Sequence, residues 1–153
     1  MKSRPAGFTL IEVMVVIALI AIASAMASLA LRDPASTRLE QEGARLVALL
    51  EAARTEARAA GLTASWEPRA AQEGAAGFRF IGLPPSSQLP THWLTAGVTA
   101  EVAGARAVTL GPEPLIGAQR IVLHLDTQSL TLATDGLGPF VVVDNEAVVP
   151  ARS

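Results

Sequence analysis

Residues 7–31 read GFTLIEVMVVIALIAIASAMASLAL, and the fold and purpose of the chain turn on them. From Val13 to Leu31 there are 19 residues without a charge. As an α-helix that run is about 28 Å long, close to the roughly 30 Å hydrocarbon core of a bilayer. Ahead of it, MKSRPAG is short and polar, and basic through Lys2 and Arg4; behind it, Arg32 and Asp33 balance. This asymmetry places the N-terminus in the cytoplasm and the bulk of the chain across the inner membrane.

Glu12 sits inside the otherwise apolar segment. A carboxylate at membrane depth costs about 2.5–3.5 kcal/mol on insertion scales, so it calls for a partner. Cutting the chain after Gly7 supplies one. Phe8 becomes the new N-terminus, with a free amine four residues before Glu12, and the start of a helix favours negative charge. Within one chain the carboxylate can satisfy its own amine. Between chains it can satisfy a neighbour's and so fix the axial register of a helical stack. The competing reading is a secretory signal peptide, since Ala23-Ser24-Ala25 and Ala25-Met26-Ala27 both present small-residue cleavage sites. Glu12 speaks against it, because a signal peptide gains nothing from a buried charge.

The same residues carry a resemblance. G-FTLIE followed by a long apolar run resembles the type IV prepilin signature shared by pilins and type II secretion pseudopilins. The resemblance implies that Gly7 precedes the prepilin-peptidase cut, that Phe8 becomes the N-methylated N-terminus, and that Glu12 is the buried glutamate used in assembly.

After Asp33-Pro34, which either interrupts the helix or restarts it with Asp33 as N-cap, Leu39, Leu46, Leu50, Ala53 and Ala57 share one helical face. Glu40, Glu42, Arg45, Glu51, Arg54 and Arg58 are expected on a solvated face, with Glu42–Arg45 and Glu51–Arg54 as i,i+3 surface pairs. Gly61 is the expected C-cap. Were the two helical stretches nearly continuous, Phe8 to Ala60 would span roughly 80 Å.

The remainder reads as β. Short strand candidates are GFRFIG (77–82), GVTAEV (97–102) and RAVTL (106–110). RIVLHLD (120–126) and SLTLAT (129–134) form an expected hairpin turning at Thr127-Gln128, and FVVVD (140–144) with AVVP (147–150) a second one turning at Asn145-Glu146. GLPPSSQLP (82–90) is a proline-rich connection that cannot sit inside a sheet. LVALLEAARTEARAAGLTASW resembles the post-membrane helix of the H-type minor pseudopilins and their pilus relatives. There an Arg-x-Glu-Ala segment, here Arg54, Glu56 and Ala57, precedes a Gly, here Gly61, and a first short strand. ATDGLGPFVVVD is similar to their penultimate hairpin, with Asp135-Gly136 at the turn. Residues 62–120 otherwise resemble no family, and their strand order is open.

Of 153 residues half are apolar, and the chain has no cysteine, which excludes disulfides, thiolate zinc sites and thiol catalysis. Beyond Leu31 it carries 10 arginines against 13 carboxylates, a net charge of −3 that gives little attraction for phosphate backbones. His92 and His124 are isolated and read as structural or surface residues, and Trp66 and Trp93 as packing residues. No Ser-His-Asp spacing, phosphate-cradling loop or metal-ligand pair occurs, so neither enzymatic activity nor a cofactor is expected. Asp126, Asp135, Asp144 and Glu146 read as turn-forming acids, with a calcium site the alternative that resemblance to major pseudopilins allows.

The expected organisation is therefore α+β and pilin-like: a leader over 1–7, a transmembrane helix over 8–31, its amphipathic continuation over 32–61, and a periplasmic β-rich domain over 62–153. The function the resemblance implies is that of a minor pseudopilin, with other pseudopilins, prepilin peptidase and the inner-membrane assembly platform as partners, and no nucleic acid. The alternatives are a minor pilin of type IV pili, in assembly or DNA uptake, and a signal-peptide-bearing periplasmic binding protein.

Overall fold

The computed structural model describes residues 9–30, 34–69 and 76–143, the side chains of 27–30 excepted. It divides into two compact units, Met1–Asp33 and Pro34–Ser153.

The first unit contains α1 (Leu10–Ala30), 21 residues long. Its backbone starts at Thr9, whose carbonyl accepts from the amides of Glu12 and Val13 at 3.0 and 3.3 Å. Valine and isoleucine are indifferent helix formers in water, but a helix is the one local structure that satisfies its own backbone without water. Apolar residues lie on every face of α1 rather than in a stripe. Every side chain described in it is exposed, Leu10 to 79%. The described side chains end at Met26, about 25 Å along the axis. Among the described residues no helix is long and apolar enough to cross a membrane. The uncharged run of the sequence continues past them to Leu31.

The second unit is one helix, α2 (Pro34–Ala60), against two antiparallel sheets. Pro34 occupies the first helical position, where its missing N–H costs nothing; Asp33, the expected N-cap, lies outside the described residues. The helix ends in a Schellman turn. Gly61 adopts φ +62°, its amide reaches Arg58 O at 3.3 Å, and the amide of Leu62 reaches Ala57 O at 3.0 Å.

One sheet has strand order β2-β1-β4, from β1 (Ala64–Arg69), β2 (Gly77–Ile81) and β4 (Val108–Gly111). The other has order β3-β5-β6-β7, from β3 (Thr99–Val102), β5 (Gln119–Leu125), β6 (Gln128–Thr134) and β7 (Val141–Val143). β1 is the short strand that the resemblance implies after Gly61, although its Pro68 hid it from the β pattern. Residues 82–90 form no strand. The β5–β6 hairpin pairs Leu125 with Gln128, so its turn is Asp126-Thr127, one residue earlier than expected. The cause is Asp126, which takes φ +54°, a conformation aspartate tolerates and a primed two-residue turn requires. The partner expected for β7 over 147–150 lies outside the described residues.

α2 crosses β4, β5 and β6 and buries Leu39, Leu46, Leu50, Ala53 and Ala57 against Ile121, Leu123, Leu132 and Leu110. A second part of the core is aromatic: Phe78 has Trp93 and Trp66 at centroid distances of 4.7 and 5.9 Å. Both tryptophans are buried, the packing role expected of them.

The expected solvated face of α2 needs a correction. Glu42 and Arg54 are only 2% and 1% exposed. Glu42 lies three residues after Leu39 and four before Leu46, and Arg54 four after Leu50 and three before Ala57, which puts both charges in the apolar stripe itself.

Candidate assembly site

Two sets of charged residues stand out among the described ones: the start of α1, and the contacts by which α2 holds loops of the second unit.

At the start of α1, Gly7 and Phe8 lie outside the described residues. Glu12 is described and exposed, in the first turn of the helix. With Thr9 as the capping residue, Glu12 is the third helical residue, the spacing of a capping box. The helix dipole at this end favours a carboxylate. A helix apolar on all sides, carrying one carboxylate near its N-terminus, needs cover from lipid or from other helices.

In the second unit, both i,i+3 pairs of α2 form, at 3.6 Å for Glu42–Arg45 and 3.2 Å for Glu51–Arg54. They do more than bridge adjacent turns. Glu42 Oε1 accepts from the amide of Thr95, and Arg45 Nη1 donates to His92 O at 2.9 Å, so this pair fastens the loop 92–95. Arg54 Nη1 donates to Gly138 O at 2.8 Å, and Glu51 Oε1 accepts from the amide of Phe140 at 3.4 Å, which fastens the turn before β7. Arg58 Nη2 donates to Pro114 O at 3.3 Å. Among the described residues, Arg54 Nε and Nη2 and Glu42 Oε2 are buried without a hydrogen-bond partner.

The turn between β6 and β7 is built around Asp135 and Gly136, as the resemblance implies. Asp135 Oδ1 accepts from the amides of Leu137 and Gly138 at 2.9 and 2.8 Å. These two bonds, that to Gly138 first, hold the Asp135 carboxyl below its ordinary range. Thr134 Oγ1 donates to Gly138 O and accepts from the amide of Gly136, both at 2.9 Å. Gly136 has φ +92°, and a Cβ there would strike the backbone of Gly117 at about 2.5 Å.

His92 contributes its carbonyl rather than its ring. His124 projects from β5 opposite Leu123 and Leu125, with Nε2 3.5 Å from Glu101 Oε1. Of the four turn acids, Asp144 and Glu146 lie outside the described residues. Among the described residues no group of three His, Asp or Glu is placed to hold a metal ion. Sequence reasoning missed the fastening role of Glu42 and Arg54, although their positions in the stripe were a usable signal.

Residues 2–28 match the family model of the prokaryotic N-terminal methylation motif. Among curated proteins none matches the sequence. Among solved structures the chain is similar to the type IV minor pilin FimU of Pseudomonas aeruginosa, at TM-score 0.54 and 15% identity, over 73% of this chain and 92% of that one. The methylation motif at its start and the helix-on-sheets fold behind it, similar to that of a type IV minor pilin, support a prepilin-like protein.

Proposed function

We propose that the chain is a minor pseudopilin, a structural subunit of the periplasmic pseudopilus of a type II secretion system. The observation that carries this reading is the pairing of G-FTLIE with a helix whose every described side chain is exposed and almost wholly apolar. Prepilin peptidase cuts between Gly7 and Phe8, and Phe8 is N-methylated. The helix spans the inner membrane with the leader in the cytoplasm and the second unit in the periplasm. The assembly platform then draws the subunit into the filament, where neighbouring helices replace lipid. Glu12 meets the amine of a neighbour's Phe8, and that contact sets the register. Major and minor pseudopilins are the partners.

A second reading is a minor pilin of type IV pili, favoured by the likeness of fold to such a pilin. The net charge beyond Leu31 disfavours DNA as its ligand. Sequencing the N-terminus of the mature protein tests what both readings share: a methylated Phe8 is expected, and a start at Met26 or Ser28 removes the anchor and both readings with it. Copurification with secretion or with pilus components then separates them.

A further inference from the structure

Two of the most exposed leucines of the second unit stand on neighbouring loops. Leu115, 63% exposed, belongs to the connection from β4 to β5, and Leu137, 70% exposed, to the turn from β6 to β7. The loops meet where the amide of Ile116 donates to Gly136 O at 3.4 Å and the backbones of Gly117 and Gly136 lie in contact. Beside Leu137 is a shallow recess of about 500 Å³, walled by Ala133, Pro139, Val141 and Val143, with Val141 itself 52% exposed. Asp135 is the one charged residue among those that line it.

Both leucines are held in place by charges that α2 commits to them. Arg54 donates to Gly138 O and Arg58 to Pro114 O, each carbonyl one residue from an exposed leucine. Asp135 and Thr134 take up the amides of the turn, and Pro112, Pro114 and Pro139 restrict the backbone on either side. Side chains that stay in water add nothing to the core, so the core does not call for this rigidity. Docking does, because apolar groups fixed in advance lose little entropy when a partner covers them. Exposed apolar anchors beside a recess are the anatomy of a protein interface.

Charge selects what fits. Asp135 spends Oδ1 on the turn amides and, among the described residues, forms no ion pair. The two nearby guanidiniums are directed at carbonyls instead. A partner that closes over the recess therefore has to bring a cation to this carboxylate, or leave it desolvated and unpaired.

We propose that Leu115, Leu137 and the recess dock a neighbouring filament subunit, which sets an aliphatic side chain in the recess and a lysine or arginine against Asp135. This rests on the reading of the chain as a filament subunit and holds for a pseudopilus and a pilus alike.

The test uses the full chain in cells that assemble the filament. Leu115→Ser/Leu137→Ser should begin at Phe8 and melt with the native chain, since both side chains are already in water. Its recovery in sheared filaments should nonetheless fall at least roughly tenfold. The chain has no cysteine, so Leu137→Cys accepts a benzophenone maleimide at a single position. Irradiated filaments should give an adduct with a different subunit, at an aliphatic residue beside a lysine or arginine. Reversing that cation to glutamate should cut the yield of adduct by a similar factor. Native-level recovery of the double variant overturns the proposal and leaves the filament reading standing, whereas a native chain absent from filaments overturns both. No adduct, an adduct between two copies, or one with a surface that lacks a cation also overturns it. If the double variant fails to fold, the adduct on the labelled chain decides.

Discussion

A guanidinium removed from water has to find acceptors, and Arg54 finds two, Gly138 O and Glu51 Oε1, while Nε and Nη2 find none among the described residues. The desolvation this implies is tolerable only if the contacts made are worth keeping. Replacing Arg54 with Leu should therefore cost about 2 kcal/mol, because Gly138 O loses its charged donor and Glu51 its counter-charge. Arg54→Lys should recover only part of this, since an ammonium on a flexible stem lacks the planar fork. Urea unfolding of the detergent-solubilised chain measures both. Glu42 separates hydrogen bonding from charge in the same assay. Glu42→Gln keeps an oxygen for the Thr95 amide and should cost less than about 1 kcal/mol, whereas Glu42→Ala strands that amide and should cost about 2 kcal/mol. Asp135 supplies the pH dependence. Its folded carboxyl titrates below the unfolded value of 3.8 because two amides bind the ionised form. Its contribution is thus fully present above about pH 4 and is lost as the pH falls through the lower folded value. Asp135→Asn removes this titration, so the stability gap between the native chain and the variant should narrow as the pH drops below 4. A constant gap would show that the charge is immaterial to the turn.

At the scale of elements, two glycines with the same sign of φ separate conformation from contact. Gly61 closes α2 with open space around it, so Gly61→Ala meets only the left-handed penalty, about 1 kcal/mol. Gly136 carries that penalty and a collision with the Gly117 backbone, which cannot move as a side-chain tip can. Gly136→Ala should cost at least about 2 kcal/mol more than Gly61→Ala, read from paired unfolding curves, and should loosen the turn ahead of β7. Equal losses would mean that the Gly117–Gly136 approach is not maintained in solution. These elements also mark where the sequence could be read. The α2 stripe and the β5–β6 hairpin followed from period alone, because periods of 3.6 and 2 dictate which side chains can be buried together. Gly61 was recognisable as a cap for the same local reason. The β5–β6 turn slipped by one because Asp126 adopts a positive φ that no apolar pattern encodes. Glu42 and Arg54 defy the rule that charge means solvent, because the carbonyl and amide partners that admit them come from loops 53 to 84 residues away. No local rule supplies such partners. β1 and the division into two sheets depend likewise on long-range pairing, which Pro68 and the connection 82–90 obscure.

For the whole molecule, the proposed function sets two free energies against each other, and a single carboxylate enters both. In the membrane Glu12 is a liability of about 2.5–3.5 kcal/mol on insertion scales. In a helical stack it is an asset only if an amine from a neighbouring chain reaches it. Glu12→Ala should therefore enter the inner membrane at least as well as the native chain, be cut to begin at Phe8, and accumulate there without joining filaments. Gly7→Val should leave the leader attached, so that no free Phe8 amine forms anywhere, and should fail at an earlier step. Edman sequencing of the membrane fraction distinguishes these two failures, and sheared filaments probed for the subunit report the outcome. A processed Glu12→Ala chain found in filaments at the native level would mean that packing of the apolar helix alone sets the register, and the carboxylate would need another purpose.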